Sequence, residues 1–246
     1  MEQEKRLEKI PDNMKTIGII GGLGQQATMD FVARVHKISQ DLIPQFVNRG
    51  YPPLHVFYFR HAPMALNPDG STPNVLEPDP RLLELAKIAG KNADFIVIPS
   101  NTPHLFQKQI EEASGRKMLS IVDVTLEEVK RRSLKKVGVL AIGDTLKHRL
   151  YQNRLDEIGV TWEIIPDKIV QKLDESIWAV MEGKTRSNLG EPAREAVDYL
   201  RAKNTDGIIL GCTELPLLLK DEINVSDLIN PSQLLAEAAV KFATAK

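Results

Sequence analysis

Cysteine is almost absent from this chain, which has one, Cys212, among 246 residues. A single cysteine excludes a disulfide within the chain and any zinc site built from several thiolates. The five histidines show none of the paired spacings on a helix or strand that metal sites use. We therefore predict no structural or catalytic metal, and any thiol chemistry must depend on Cys212.

The sequence also has no excess of charge of one sign and no long apolar run. The formal net charge is -1, and no cluster of Lys and Arg is large enough to attract nucleic acid or an anionic membrane. No apolar run approaches the ~20 residues that cross a bilayer, and the charged segment 1–13 lacks the apolar stretch of a secretory signal. The sequence therefore predicts a cytoplasmic protein that binds neither nucleic acid nor membrane.

The chain does contain a regular alternation of short β-branched runs and helix-length amphipathic stretches. Continuous apolar strands separated by helices are typical of parallel sheets buried on both faces, so we predict an α/β fold. The predicted strands are 16–20, 54–59, 95–99, 119–122, 136–141, 162–165, 207–210 and 228–229.

The two halves of the chain are weakly similar to each other in three places. The similar pairs are 17–22 with 137–143, 95–102 with 207–213, and 119–123 with 228–230. Three matches in the same order indicate two similar lobes, each a parallel sheet flanked by helices. The predicted boundaries are 15–117 with 226–246 for the first lobe, 118–225 for the second lobe, and 1–14 for an N-terminal extension.

The ends of two predicted strands locate a candidate site. Loops at the carboxyl ends of parallel strands bind the ligands of such folds. Ser100 and Cys212 follow corresponding strands of the two lobes, so we expect them to face each other across a cleft between the lobes.

Each of these two residues stands near a predicted helix start. Ser100 or Thr102 can cap a helix that begins at Pro103, and backbone amides there can hold a carboxylate. Cys212 lies one residue beyond its strand, with a helix start immediately after it. A helix N-terminus lowers the pKa of a thiol below its usual ~8.5. The alternative is that Cys212 is a small hydrophobic side chain buried in the core, as lone cysteines often are.

Three motifs of the sequence are similar to motifs of one enzyme family. Residues 211–214, Gly-Cys-Thr-Glu after an apolar strand, are similar to the family's second catalytic motif. Residues 100–104, Ser-Asn-Thr-Pro-His, are similar to the first catalytic motif, Cys-Asn-Thr-Ala-His, with two changes. The opening segment 14–24, continuing to Ala27 and Thr28, resembles the N-terminal motif. With these three motifs in order, the chain resembles the aspartate/glutamate racemase family from about Met14 to the C-terminus.

The resemblance implies a homodimer that racemises aspartate or glutamate without pyridoxal phosphate, metal or any other cofactor. Two cysteines flank the α-carbon of the substrate, because inversion requires a proton to leave one face and return to the other. Cys212 matches one of them, and Ser100 stands where the other is expected. A hydroxyl is a weaker acid and a poorer base than a thiol, so we expect reduced or asymmetric activity. A natural asymmetric racemase, a family member of other function and a serine placed by mutagenesis all remain open.

The resemblance also implies which residues bind the substrate's carboxylates. Gly22 lies in the loop after the first strand, and Asn101, Thr102 and Thr213 match positions of the two catalytic motifs.

Four further candidates are matched less closely. Arg60 and Lys184 are candidates for the basic carboxylate ligands, Arg60 out of register with the family's motif and Lys184 with a solvated helix end as the alternative. His104 is expected to support the site by a hydrogen bond to an acid, or else to be a satisfied histidine at a helix start. Glu214 is expected to support Cys212 from the adjacent motif position.

Three other functions remain possible from the sequence. The glycines of 22–27 fit a dinucleotide-binding loop, but Arg60 is almost twice as far along the chain as the ~20 residues of that pattern. A decarboxylase relative with one second-lobe cysteine, similar to arylmalonate decarboxylase, is the second alternative. The third is a protein that binds an acidic amino acid without turnover, which α-proton exchange would distinguish from an enzyme.

Overall fold

The computed structural model describes residues 10–11, 13–184, 188–220 and 225–245. Most of the predicted N-terminal extension, residues 1–9 and 12, lies outside this part. Ile10, a residue of the predicted extension that the structure does describe, is buried in the hydrophobic core. No helix among the described residues is long and apolar enough to cross a membrane.

The first lobe is built on a parallel sheet of four strands in the order β2-β1-β3-β4. The strands are β1 (Ile17–Gly21), β2 (Leu54–Tyr58), β3 (Phe95–Val97) and β4 (Met118–Leu119). The helices are α1 (Gln25–Leu42), α2 (Pro80–Asn92), α3 (Gln107–Ser114) and α4 (Ile121–Arg131), with a 3-10 helix at Thr102–Phe106. All residues of β1 and β3 are buried, as expected for the centre of a sheet covered on both faces.

The second lobe repeats this arrangement in the order β6-β5-β7-β8. The strands are β5 (Lys136–Leu140), β6 (Thr161–Ile164), β7 (Gly207–Leu210) and β8 (Leu228–Ile229). The helices are α5 (Gly143–Lys147), α6 (Leu150–Glu157), α7 (Asp167–Met181), α8 (Glu191–Ala202) and α9 (Leu215–Leu219), and the C-terminal helix α10 (Pro231–Thr244) follows β8. The three similar segment pairs fall on β1 and β5, β3 and β7, and β4 and β8, which confirms the predicted two-lobed α/β fold.

The predicted strand 119–122 was too long. Strand β4 ends at Leu119, and Ile121 already begins α4. The reason is the side chain of Ser120, which accepts a hydrogen bond from the backbone amide of Asp123 at 3.2 Å and so caps the helix.

The sheets also differ from the predicted lobe boundaries. Met118–Leu119 pairs with β3 and completes the first sheet, although residue 118 was assigned to the second lobe. Leu228–Ile229 pairs with β7 and completes the second sheet, although 226–246 was assigned to the first lobe. The chain changes lobe after the fourth strand of each sheet, because that strand is needed to finish the sheet.

The C-terminal helix α10 returns to the first lobe. The backbone amide of Lys15 donates to the carbonyl of Ala243 at 2.8 Å, and the rings of Phe95 and Phe242 meet edge to face at 4.8 Å. Arg34 of α1 donates to the side chain of Gln233 at 2.9 Å. The last helix therefore ties the end of the second lobe to the first, which helps to fix how the lobes face each other.

Candidate active site

A cavity of about 610 Å³ lies between the carboxyl ends of the two sheets. Its first-lobe wall comes from the loops after β1, β2 and β3, and its second-lobe wall from the loops after β5 and β7 and the end of α7. Ser100 and Cys212 both line it. The structure therefore brings together the two residues that the sequence placed at equivalent strand ends.

Side-chain hydrogen bonds join the two lobes beside this cavity. The buried Asn101 donates through Nδ2 to the backbone carbonyl of Gly211 at 3.0 Å and accepts from the hydroxyl of Tyr151 at 2.7 Å. The hydroxyls of Thr102 and Thr145 form another interlobe hydrogen bond at 3.1 Å. The carboxamide of Asn101 thus connects the loop of Ser100 with that of Cys212, and its predicted contact with a substrate carboxylate stays a prediction.

The thiol of Cys212 has a carboxylate as its neighbour. Its Sγ donates to Oε2 of Glu214 at 3.1 Å, and the hydroxyl of Thr213 donates to the same oxygen at 3.3 Å. Burial, and after it the charge of Glu214, raises the pKa of Cys212 well above its usual value. The sequence-based prediction of a lowered thiol pKa was wrong in direction, because α9 is only five residues long and its effect is outweighed.

Glu214 is itself enclosed, with 4% of its surface exposed, and burial raises the pKa of its carboxyl group. Its second oxygen, Oε1, lies against the backbone of Gly24 in the first lobe, where any side chain would collide with it. A carboxylate with a raised pKa is a better acceptor for a proton from the neighbouring thiol. Glu214 therefore lies in a position to accept the proton of Cys212.

The loop after β1 lines the cavity through residues other than the predicted Gly22. The amide of Gly22 donates to the hydroxyl of Thr28 at 2.9 Å, and its φ of +80° together with the close backbone of Phe59 requires glycine. Gly22 therefore shapes the turn, whereas Leu23 and Gln25 face the cavity.

The structure does not bring the two predicted basic residues to this cavity. Arg60 is exposed, and Lys184 is exposed and ion-paired with Glu182. Arg60 directly follows the buried Phe59 and is not among the lining residues, and Lys184 lies beyond the end of α7. The alternative of a solvated helix end describes the observed position of Lys184.

The charge of the cavity wall is negative. Among the residues that the structure describes, no Lys or Arg lines the cavity, whereas Asp144, Glu182 and Glu214 do. Within the same described part of the chain, no group of three or more His, Cys, Asp or Glu side chains is arranged to hold a metal ion.

His104 is a structural residue of the Ser100 loop. The backbone amide of Ile121 donates to Nε2 at 3.0 Å, which places the ring proton on Nδ1, within 2.9 Å of the carbonyl of Ser100 and 3.2 Å of that of Asn101. Burial lowers the pKa of His104 to about 4, so the ring is neutral at physiological pH. The alternative of a satisfied histidine at a helix start describes these contacts, rather than a hydrogen bond to an acid.

Sequence reasoning missed the apolar wall of the cavity. Ile177, Trp178 and Met181 of α7 line the cavity together with Met64 and Leu66 of the segment after β2. Trp178 and Met181 are large apolar residues that are 65% and 39% exposed. Their spacing of three on an amphipathic helix, on the exposed side of the buried positions, was the signal that could have identified them.

A cleft between two equivalent parallel sheets, with one proton-carrying side chain from each, defines a two-lobed α/β enzyme with its site between the lobes. The family model of Asp/Glu/Hydantoin racemases matches residues 20–239, and the chain belongs to this family of isomerases. The resemblance recognised from three motifs is thereby confirmed.

Individual relatives agree with this assignment. The chain is 24% identical over 227 residues to the broad specificity amino-acid racemase RacX of Bacillus subtilis. This match covers 91% of the present chain and 96% of RacX. The crystal structure of PH1733, an aspartate racemase homologue from Pyrococcus horikoshii, is 26% identical with a TM-score of 0.72, over 94% of this chain and 100% of that one. The aspartate racemase of Picrophilus torridus, 20% identical over 93% and 94% of the two chains, shares the fold with a TM-score of 0.75.

Proposed function

We propose that this protein exchanges the α-proton of an amino acid, and racemises it, in the cavity between Ser100 and Cys212 without a cofactor. The observation that carries the proposal is that these two residues follow equivalent strands of the two lobes and line one cavity. Membership of the racemase family supports it.

The proton steps follow from the contacts of Cys212. Transfer of its thiol proton to Glu214 leaves a thiolate, which removes the α-proton of the substrate and becomes a thiol again. The substrate is then a carbanion stabilised by its own carboxylate group. A proton returned by Cys212 restores the original configuration, whereas a proton returned by Ser100 on the opposite face inverts it and leaves an alkoxide. The inverting cycle closes when Ser100 regains a proton and Glu214 releases one to solvent.

Ser100 makes the inverting step the slower one. Its hydroxyl must become an alkoxide when it gives up a proton, and each unit of pKa mismatch costs about 1.36 kcal/mol. We therefore propose that α-proton exchange at Cys212 is faster than overall racemisation.

The α-carboxylate of the substrate is proposed to bind to hydroxyl groups and backbone amides. Thr102, Thr145 and Thr213 line the cavity and supply three hydroxyls. Two of these were predicted from the motifs, and Thr145 is added by the structure. The aspartate or glutamate implied by the family resemblance stays a prediction, as does a carboxylate-binding role for Gly22, Arg60, Lys184 or Asn101.

A binding protein without turnover is the second candidate, and the raised pKa of Cys212 favours it. Deuterium incorporation at the α-carbon in heavy water distinguishes the two, because a binder would raise its melting temperature with ligand yet exchange nothing. Loss of all exchange in Cys212→Ala is the result expected of the enzyme. Release of carbon dioxide from an arylmalonate would instead support the decarboxylase alternative.

We also propose that the protein forms a homodimer, as the family resemblance implies. Sedimentation at micromolar concentration tests it, and a monomer would contradict it. The cytoplasmic location stays a prediction.

A further inference from the structure

The cavity between Ser100 and Cys212 has apolar side chains from both lobes in its wall and carboxylates at its rim. A side-chain carboxylate of aspartate or glutamate would enter it beside Asp144 and Glu182, with no cation among the described lining residues to neutralise it. Removing such a charge from water without a partner is strongly unfavourable, and like charges add repulsion.

The two carboxylates at the rim, Glu182 and Asp144, differ in how far neighbouring groups neutralise their charge. Glu182 is paired with Lys184, whose ammonium group lies outside the cavity. Asp144 accepts only a long hydrogen bond from Thr72, at 3.5 Å, and lies 3.7 Å from Nε2 of His148. Asp144 therefore contributes a negative field to the cavity that no Lys or Arg of the described residues offsets at close range.

The apolar wall determines what can fill the rest of the space. Ile177, Trp178 and Met181 from α7 and Met64 and Leu66 from the first lobe present hydrocarbon and sulfur surface on both sides. The side chains of Trp178 and Met181 are exposed, so a substrate side chain that covered them would remove apolar surface from water. A side chain of several methylene groups would bury this surface, at roughly 25 cal/mol per Å² of apolar area.

From these contacts we infer that the substrate is an amino acid with an extended hydrocarbon side chain that carries no negative charge. The inference rests on the proposed function, since it concerns the same cavity. Leucine and methionine represent the neutral form of this chemistry, and lysine and arginine the cationic form, in which the stem packs on α7 and the charged end lies near Asp144.

The test is α-deuterium incorporation in heavy water for both enantiomers of leucine, methionine, lysine, arginine, aspartate and glutamate. At least one non-acidic pair is expected to exceed both acids by about tenfold or more in kcat/KM, which corresponds to about 1.4 kcal/mol. The cationic arm separates an effect of apolar fit from one of attraction to Asp144.

The outcomes separate this inference from the proposed function. Exchange of aspartate or glutamate at an equal or higher rate would overturn the substrate class and leave the function standing. If no amino acid exchanges, melting-temperature shifts decide: a rise with the non-acidic group alone supports the cavity's preference while overturning turnover. No exchange and no shift would overturn both.

A charge placed in the apolar wall provides a second test. Met181→Lys is expected to lower the preference for non-acidic over acidic amino acids by at least about tenfold, because it supplies a cation that the described lining residues do not. Met29→Lys is the matched control, since Met29 is 56% exposed on α1 and lies outside the cavity. An unchanged preference in Met181→Lys with a normal melting temperature would contradict the inference.

Discussion

The side-chain amide of Asn101 in the first lobe donates to the backbone carbonyl of Gly211 in the second, across 3.0 Å. The neighbours of these two residues along the chain are Ser100 and Cys212, so one buried hydrogen bond connects both sides of the proposed site. Tyr151, whose pKa is raised by burial, donates to the other end of the same amide. The alignment of the two proposed proton carriers thus depends on Asn101, a residue with no proposed proton-transfer role.

Asn101→Ala is expected to lower the free energy of unfolding by about 1 to 3 kcal/mol, since it removes the acceptor of the buried Tyr151 hydroxyl and the side-chain donor to the Gly211 carbonyl. Urea denaturation measures this. Asn153→Ala, an exposed asparagine on α6, is the control and should change stability by less than about 0.5 kcal/mol. Equal effects of the two substitutions would show that the interlobe hydrogen bond contributes little.

Burial raises the pKa of the Cys212 thiol, and the charge of Glu214, the proposed acceptor of its proton, raises it further. Glu214→Gln removes a negative charge and is expected to lower the pKa of Cys212, so alkylation of this single cysteine by iodoacetamide should reach its midpoint at lower pH. α-Proton exchange should fall by about a hundredfold, because the acceptor of the thiol proton is lost. Glu157→Gln, at an exposed carboxylate, should alter neither quantity.

A thiol that became more reactive while exchange became slower would be a signature of proton transfer to Glu214. Slower alkylation, or exchange that survives unchanged, would count against that role.

Titration of His104 should make stability depend on pH. Its pKa is 6.5 in the unfolded chain and about 4 in the folded protein, so between these values only the unfolded chain binds the proton. This contribution to stability is present above pH 6.5 and is lost as the pH falls toward 4, by on the order of 3 kcal/mol. His104→Gln should flatten this part of the stability profile, whereas His55→Gln, at an exposed position, should retain it. An unchanged slope in His104→Gln would contradict the assignment.

The sequence predicted the fold well because its signals are local and repeated. All eight predicted strands are present, since apolar runs such as 207–210 can be buried on both faces only in a covered parallel sheet. The boundary errors near residues 118 and 228 arose where two-residue strands are defined by pairing with β3 and β7, which a linear sequence does not display.

The site was predicted only as far as its motifs extend. Ser100 and Cys212 were brought together because topology places equivalent strand ends at one cleft. The electrostatics could not be read in the same way: the pKa of Cys212 depends on burial and on the direction of the Glu214 side chain. The positions of Arg60 and Lys184 depend on where loops turn, which spacing alone does not determine.

Ser100→Cys should restore a second thiol on the opposite side of the cavity from Cys212. Two-way racemisation is expected to rise by about tenfold or more, because a thiol gives up and takes back a proton far more readily than a hydroxyl does. Optical rotation or chiral chromatography of the product measures it. Ser226→Cys, at an exposed position, controls for the added thiol. Unchanged or lower activity would mean that Ser100 is not simply a replaced cysteine.

The last prediction concerns the two enantiomers of the substrate of the unaltered protein. The enantiomer whose α-hydrogen faces Cys212 should exchange it with solvent, whereas its mirror image presents the hydrogen to Ser100 and should exchange it far more slowly. A catalyst cannot bias the equilibrium between enantiomers, so the asymmetry must take the form of exchange without inversion for one of them, with slow racemisation in both directions. Cys212→Ala should abolish both processes. Deuterium incorporation measured separately for each enantiomer tests this, and equal rates would show that Ser100 is activated or that another group removes the proton.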